Sequence, residues 1–272
     1  MRFVVFGAGS IGLRHLRNAR ALGHAIAGVF DPDPGRLAAA AALVAETAAA
    51  RRTVLVGCNL RFLPSLMLVK RLVDEGRVGT PLSARAECGY YLPYWRPQTD
   101  YRRGYGARRA MGGGIILDAI HELDYLRWLL GDPREVFCYA GKVSSLEIDT
   151  EDNADLLLRF DYGAVANVHL DYLQRTYRRS CEVIGEDGVI VWDYIAQTVR
   201  VYGKEERRLE VFEESINTDR NAMFVEELRH FVACAETGAP PTLDAAGGRR
   251  VLEIALAAKA SAAEGRAVRL DR

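Results

Sequence analysis

Two carboxylates flank a histidine in the middle of the chain at a spacing that suits proton transfer. His121 lies three residues after Asp118 and three residues before Asp124, and residues three or four apart on a helix are neighbours on its surface. Removal of a hydride from an alcohol carbon requires a group that accepts the hydroxyl proton, and a histidine oriented by a carboxylate does this near neutral pH. We therefore predict that His121 is the proton acceptor and that Asp118 or Asp124 orients it. The alternative interpretation is a structural histidine on a helix.

A glycine-rich segment near the N-terminus has the pattern of a dinucleotide-binding turn. An apolar run typical of a strand ends in Gly7-Ala-Gly9-Ser10-Ile11-Gly12, and a run of helical character follows. Gly7 permits the tight turn, Gly9 lets the backbone approach a pyrophosphate, and Gly12 lets the helix pack close to the strand. The free N–H groups at the start of the helix then face the phosphates. We predict that these residues, with Ser10 and Ile11, bind the cofactor, although such a turn also occurs in unrelated α/β proteins.

An acidic residue stands where a ribose-binding carboxylate is expected. A second apolar run ends at Asp31, which lies 19 positions after Gly12, close to the roughly 20 positions expected for a carboxylate that binds the adenosine ribose. A carboxylate there repels a 2′-phosphate, so the sequence favours NAD over NADP. We include Arg36, which follows shortly after, among the cofactor-binding residues.

Residues 90–111 form a loop with five tyrosines, one tryptophan and five arginines. Interleaved aromatic and arginine side chains can bind nucleic acid, but the balanced charge of the chain argues against that partner. Because arginine binds carboxylate or phosphate through two parallel contacts, we predict a sugar-like or anionic small molecule, including acidic or phosphorylated substrates. The alternative is a solvated loop with structural aromatics. The candidate substrate residues are Arg61, Tyr91, Trp95, Arg96, Arg109 and Asp124.

Composition excludes several classes of protein. The 272 residues include 36 basic and 36 acidic side chains, so bulk electrostatics gives no reason to expect a nucleic-acid or membrane partner. No apolar stretch reaches the ~18 residues of a membrane span. The five cysteines are widely spaced and form no CxxC pair, which predicts reduced thiols in a cytoplasmic protein with no metal site.

The pattern of elements predicts an α/β protein with two domains. Residues 1–58 read as a shortened Rossmann domain with strands before Gly7, before Asp31 and at 53–58. Residues 59–272 read as an α+β domain with a large, mostly antiparallel open sheet. The predicted strands of this sheet are 82–89, 155–160, 165–172, 181–184, 189–194, 198–202 and 209–212. The predicted helices are a helix from residue 64 that stops at Gly76, a helix from residue 115 that ends at Gly131, and 222–237, which Gly238 ends. A last predicted helix starts at the N-cap candidate Asp244 and extends to about residue 263. In the strand at 165–172, apolar and polar residues alternate, which predicts one buried and one open face.

These motifs together resemble one known family. They occur in the order Gly7-Ala-Gly-Ser-Ile-Gly12, Asp31-Pro-Asp, Asn59-Leu-Arg61-Phe62, Gly112-Gly-Gly, Asp118-Ala-Ile-His121-Glu-Leu-Asp124, Trp128-Leu-Leu-Gly131 and Glu151-Asp-Asn-Ala-Asp. The set resembles the glucose–fructose oxidoreductase/inositol dehydrogenase family, also called Gfo/Idh/MocA. The resemblance implies NAD(P)-dependent hydride transfer on a sugar, cyclitol or related polyol, and homo-oligomers formed through the open sheet face. It also implies that His121 is the catalytic histidine and Asp118 its associated acid.

The chain departs from the family at one motif. The family carries a Glu-Lys-Pro motif whose lysine is central to catalysis, whereas none of the four lysines here precedes a proline. About two αβ units, roughly 60 residues, would be missing between Asp31 and Thr53. Two functions therefore stay open: an active oxidoreductase, or a catalytically inactive relative that retains sugar or nucleotide binding.

Overall fold

The computed structural model describes residues 2–6, 10–30, 53–204, 209–213 and 219–270. The chain divides into two compact units. One unit comprises Met1–Leu63 and Asn217–Arg249, and the other comprises Pro64–Ile216 and Arg250–Arg272. The predicted boundary after residue 58 did not foresee the return of residues 217–249 to the first unit. Residues 217–249 belong to the first unit because the helix at residues 222–237 packs on the first helix of the chain.

The first unit begins with the predicted strand–helix–strand motif. Strand β1 (Arg2–Phe6) and strand β2 (Ala25–Phe30) pair in parallel, and helix α1 (Ser10–Ala21) connects them. Parallel neighbours need such a crossover connection because the end of the first strand and the start of the second lie at opposite ends of the strands. Helix α6 (Ala222–Thr237) ends at Gly238 as predicted, and its Leu228 and Val232 form a small apolar cluster with Ala19 of α1.

The predicted strand at 53–58 is not a strand of this sheet. The backbone N–H of Val56 donates to the carbonyl oxygen of Leu243 at 2.9 Å, and the N–H of Cys58 turns back to Val56 at 2.9 Å. A 3-10 turn, Asn59–Phe62, follows directly. The apolar run suits burial, but Val56 bonds to Leu243 and not to a strand of this sheet, so apolar character alone gave the wrong element.

The second unit contains a mixed sheet of nine strands. The strands follow the order β10-β9-β8-β7-β3-β6-β5-β4-β11. Only β3 and β6 pair in parallel; the other neighbours are antiparallel. The strands are β3 (Pro81–Gly89), β4 (Pro133–Gly141), β5 (Asn153–Phe160), β6 (Val165–Asp171), β7 (Arg178–Gly185), β8 (Gly188–Asp193), β9 (Thr198–Gly203), β10 (Leu209–Glu213) and β11 (Val268–Arg269). The predicted open, mostly antiparallel sheet is confirmed, while β4 and β11 were not among the individually predicted strands.

Helices contact one face of this sheet. They are α2 (Pro64–Asp74), the short α3 (Leu92–Trp95), α4 (Ile115–Asp118), α5 (Ile120–Leu130) and α7 (Ala245–Glu264). The core between helices and sheet includes the fully buried Trp192, Tyr125, Tyr172 and Phe160. Asp244 caps α7 as predicted, since its carboxylate accepts a hydrogen bond from Gly247 N–H at 2.7 Å.

Strand β6 has the predicted alternation. Ala166, Val168 and Leu170 are buried, whereas Val165 and Asn167 are exposed. Asp171 shares the open face by register but is buried, and its carboxylate accepts hydrogen bonds from the backbone N–H groups of Leu173 and Gln174 in the following turn. Among the residues that the structure describes, no helix is long and apolar enough to cross a membrane.

Candidate functional site

The helix that was predicted to carry Asp118 and His121 is in fact two helices. Helix α4 ends at Asp118, Ala119 leaves the helical conformation with φ −99° and ψ 35°, and α5 starts at Ile120. The expectation that Asp118 and His121 share one helix face is therefore wrong. The break points the two side chains into different surroundings.

Glycines allow the residues before α4 to pack tightly. A Cβ on Gly113 would clash with the carbonyl oxygen of Tyr105, and a Cβ on Gly114, which has φ +111°, would clash with the carboxylate of Glu151. The backbone N–H of Gly114 donates to the carbonyl oxygen of Gly106 at 3.0 Å. The triple glycine thereby holds the aromatic loop against the start of α4, next to Asp118.

Asp118 receives a hydrogen bond from a tyrosine hydroxyl. The Tyr172 hydroxyl donates to Oδ2 of Asp118 at 2.6 Å, and Tyr105 lines the cleft beside the same carboxylate. Burial raises the pKa of Asp118, and the hydroxyls of Tyr105 and Tyr172 and the charge of Arg96 act in the opposite direction. Burial and the charge of Asp118 also raise the pKa of Tyr172. Tyr172 therefore stays protonated and acts as a donor to the carboxylate.

A small cleft opens beside this carboxylate. Its volume is about 50 Å³, and Asp118, Trp95, Arg96 and Tyr105 are among its lining residues. The ring of Trp95 meets Tyr172 edge to face at 5.4 Å.

His121 lies in the first turn of α5. Its Nδ1 is buried and has no hydrogen-bond partner within the described part of the chain. Burial, with a smaller contribution from the charge of Arg179, lowers the pKa of His121 to about 3. The structure thus brings neither predicted carboxylate to Nδ1, and Asp124 is itself buried in the helix packing.

The remaining predicted substrate residues do not gather at the cleft. The guanidinium of Arg175, in the turn after β6, lies 3.6 Å from the centre of the Tyr91 ring. This contact packs Tyr91 against that turn. Arg109 bonds to Asp149 through its backbone N–H at 2.6 Å and through Nε to the carbonyl at 3.2 Å. Arg61 belongs to the first unit, where its Nη1 donates to the carbonyl oxygen of Thr242 at 2.9 Å. Trp95 and Arg96 are the predicted substrate residues that line the cleft.

Sequence reasoning missed four residues of this site. Tyr172 follows directly on strand β6, and Tyr105 was one of several tyrosines in the loop. Glu122 and Arg179 form a buried ion pair with Nε 2.8 Å from Oε1. A usable signal existed for Arg179, because it occupies an inward position of β7 in alternation with the buried Cys181 and Val183.

The cofactor prediction falls largely outside the described residues. Gly7, Gly9, Asp31 and Arg36 are among the positions that the structure does not describe. Ser10, Ile11 and Gly12 lie in the first turn of α1, directly after β1, and that turn contains no acidic residue. The N–H groups of the helix start therefore have no acidic side chain in their own turn, which fits the pyrophosphate of a dinucleotide.

None of the four lysines of the chain lies at the cleft. Lys70 pairs with Asp74 on α2, and Lys142 donates to the carbonyl oxygen of Ser144. Nζ of Lys204 lies 3.0 Å from Asp187, and Nζ of Lys259 lies 2.9 Å from Glu151. A lysine in the role of the family's Glu-Lys-Pro residue is thus absent from the lining of this cleft.

Comparison with known proteins identifies relatives of both units. Residues 66–191 match a model described as the GFO/IDH/MocA C-terminal domain. The chain is 30% identical over 242 residues to myo-inositol 2-dehydrogenase of Thermotoga maritima, which covers 84% of this chain and 68% of the relative. It is 27% identical over 229 residues to 1,5-anhydro-D-fructose reductase of Ensifer adhaerens, with coverage of 82% and 67%.

A solved structure supports the fold over the whole chain. Levoglucosan dehydrogenase in complex with NADH has a TM-score of 0.85 at 18% identity, covering 100% of this chain and 99% of that one. The curated alignments span about two thirds of the relatives' length. The predicted pairing of a Rossmann unit with a large open sheet is confirmed. The chain belongs to the Gfo/Idh/MocA family of oxidoreductases.

Proposed function

We propose that this protein is an NAD(P)-dependent oxidoreductase that acts on an alcohol group of a sugar, cyclitol or related polyol. The observation that carries the proposal is the Asp118 carboxylate, which the Tyr172 hydroxyl orients in a cleft that Trp95 and Arg96 also line. The similarity to inositol and sugar dehydrogenases supports this substrate class.

The residues of the chain supply binding and proton transfer. A bound nicotinamide supplies the acceptor for the hydride that leaves the alcohol carbon. When the hydride leaves, the hydroxyl proton passes to a base, and Asp118 and His121 are the candidate catalytic residues for that step. Burial raises the pKa of Asp118, which makes its carboxylate a stronger base than an aspartate in water.

We further propose that the cofactor is NAD rather than NADP and that it binds to residues 7–12, Asp31 and Arg36. The start of α1 supports the pyrophosphate site, while the preference for NAD depends on the sequence position of Asp31. We keep residues 1–58 as the minimal cofactor-binding domain and residues 59–272 as the substrate and oligomerisation domain, with residues 217–249 packed on the former.

We propose a homo-oligomer that forms through the open face of the nine-stranded sheet. Tyr139 is 70% exposed, and Leu157 and Val165 of the neighbouring strands are also exposed. Light scattering on the wild type and on Leu157→Asp tests this, since a charge at a packed apolar interface should dissociate the assembly.

The five cysteines are free and buried, which supports a reducing, cytoplasmic location.

An acidic or phosphorylated substrate is the finer proposal for the cleft. Arg96 supports it, although the Asp118 carboxylate beside it would repel an anion placed deep in the cleft. The charged group would therefore lie at the Arg96 end. Substitution Arg96→Ala should raise KM for an acidic substrate, because a hydrogen bond to a charged group is worth about 1.5–3 kcal/mol. An unchanged KM would favour a neutral polyol.

The second candidate function is binding without catalysis. The observation that favours it is the absence of a lysine at the cleft. Turnover of NAD with a panel of polyols distinguishes the two functions. We expect turnover that Asp118→Asn abolishes, while a wild-type protein that binds cofactor and polyol without turnover would establish the binding role.

A further inference from the structure

A second cleft lies in the unit that contains the nine-stranded sheet. Its volume is about 410 Å³, which falls in the range of small-molecule sites. The end of helix α5 and the start of strand β4 form one side of it. The turn between β5 and β6 and the first half of helix α7 form the rest. All of its lining residues belong to this one unit.

This cleft is separate from the cleft at Asp118. The two clefts have no lining residue in common. Tyr162 of the second cleft precedes β6, whereas Tyr172, which donates to Asp118, follows β6. The seven residues of β6 span about 20 Å at roughly 3.3 Å per residue. A small ligand in the second cleft would therefore leave the Asp118 cleft open.

Two arginines of the second cleft are available to a ligand. Arg134 lies on β4 and Arg250 on α7, and both residues are half-buried. Neither guanidinium forms a hydrogen bond or an ion pair with another residue in the ranges that the structure describes. The carbonyl oxygen of Arg134 accepts from the N–H of Leu270 at 2.9 Å, which fixes its backbone beside the cleft. Because a guanidinium offers parallel N–H donors to carboxylate or phosphate oxygens, this pair suits an oxyanion.

The carboxylates of the cleft restrict which anion fits. Asp132 is paired with Arg127 on α5, with Nε 2.5 Å from Oδ1. Asp161 and Glu253 also line the cleft, and over the described residues no ion pair joins them to either cleft arginine. Ionised carboxylates accept hydrogen bonds and repel a second negative charge. They therefore favour a ligand that has hydroxyl groups beside a single anionic group.

The cleft also has apolar walls that suit a carbon body. The Tyr162 side chain is 50% exposed, and its hydroxyl donates to the carbonyl oxygen of Leu130 at 3.2 Å, which holds the ring at the cleft. Leu130, Pro133 and Ile254 are buried residues of the same lining. Ligand sites combine such apolar walls with a few polar groups that fix the orientation of the ligand. An inorganic ion would leave these walls uncovered, so the observations favour an organic anion.

We propose that this cleft is a second ligand site, which binds a small hydroxylated anion of the sugar phosphate or sugar acid class. Arg134 and Arg250 hold the phosphate or carboxylate group, and Asp161 and Glu253 accept hydrogen bonds from the hydroxyls. Tyr162 packs against the carbon body. The proposal goes beyond the proposed function, because it concerns a different cleft and requires no turnover.

Calorimetric titration with three six-carbon probes tests the ligand class. The probes are glucose 6-phosphate, gluconate and glucose, which differ in their anionic group. We expect at least one charged probe to bind with a dissociation constant on the order of 1 mM or below, and glucose to bind about tenfold more weakly or not at all. The charged probe that binds more tightly identifies the anionic group. Absence of binding by both charged probes, or equal binding of glucose, would overturn the proposal.

Variants with matched controls locate the binding. Arg134→Gln/Arg250→Gln should weaken binding of the charged probe about tenfold or more, since each charge-assisted hydrogen bond contributes about that factor. The control Arg249→Gln is the same change at the adjacent, exposed position of α7 and should bind as the wild type does. Arg96→Gln, at the Asp118 cleft, should also keep the binding. Wild-type affinity in the double variant would overturn the proposal, and its loss in Arg96→Gln would place the anion at the Asp118 cleft instead.

Chemical modification of the wild type gives a test that does not depend on the folding of the variants. Phenylglyoxal modifies accessible arginine side chains, and mass spectrometry of the digested protein reports each position. Glucose 6-phosphate or gluconate, whichever binds, should slow the modification of Arg134 and Arg250 and leave that of Arg249 unchanged. Equal modification of Arg134 and Arg250 with and without the probe would contradict the proposal. None of these measurements uses turnover, so failure of the proposed function would leave their result standing.

Discussion

The hydrogen bond from Tyr172 to Asp118 makes a prediction whose size and pH dependence can both be derived. Tyr172→Phe removes the hydroxyl that donates to Oδ2 at 2.6 Å and leaves the ring packed against Trp95. A hydrogen bond to a charged group contributes about 1.5–3 kcal/mol. This corresponds to a further rise of about 1–2 pH units in the pKa of Asp118, at 1.36 kcal/mol per unit.

The sign of the pH dependence follows from linkage. Burial already raises the folded-state pKa of Asp118 above its ordinary value of 3.8, so the folded state loses stability as the pH rises from that value through the folded pKa. The substitution raises the folded pKa again and extends this loss. The difference in free energy of unfolding between wild type and variant should be small near pH 4 and reach about 1.5–3 kcal/mol at pH 8.

Urea unfolding at pH 4.5 and pH 8 measures this difference. The matched control is Tyr162→Phe, which removes a hydroxyl that donates to the carbonyl oxygen of Leu130 at 3.2 Å. Its partner has no charge to lose, so the cost of the control should be about 0.5–1.5 kcal/mol at both pH values. Equal losses at both pH values for Tyr172→Phe would refute the idea that the hydroxyl stabilises an Asp118 carboxylate.

Three other perturbations have defined outcomes. Gly113→Ala places a Cβ against the carbonyl oxygen of Tyr105, so we expect the aromatic loop to shift and turnover to fall. The lost packing should also lower the melting temperature, which measures it. Ser65→Ala removes the acceptor of the buried Trp192 indole N–H at 2.9 Å and should cost about 1–3 kcal/mol in chemical unfolding; no loss would mean that water replaces the hydroxyl. Hydrogen bonds to two carboxylates raise the pKa of His169 to about 9, so its stabilising effect should be complete below the unfolded value of 6.5 and disappear as the pH rises through 9. The stability difference between wild type and His169→Gln over that range measures it.

Much of the fold could be predicted because local patterns determined it. The strand–helix–strand start followed from an apolar run, a glycine-rich turn and a helical run. The antiparallel strands followed from alternation, and helix α6 was predicted with its observed bounds because Gly238, with φ +76°, ends it. These signals are short-range, and the structure adds nothing that competes with them.

The site was harder because tertiary contacts determine it. The stretch from Ile115 to Leu130 has helical periodicity throughout, yet the tight packing of the triple glycine precedes a break at Ala119. That break turns Asp118 towards Tyr172, which is distant in sequence. The run at 53–58 likewise looked like a strand, because no local signal shows that Val56 bonds to Leu243.

We expect that this chain binds a nicotinamide dinucleotide as its hydride acceptor. Calorimetric titration of NADH and NADPH into the folded wild type and into Asp31→Ala tests it most directly. We predict a dissociation constant on the order of micromolar for NADH, weaker binding of NADPH, and loss of that preference in the variant. Absence of NADH binding by the folded wild type would contradict the account.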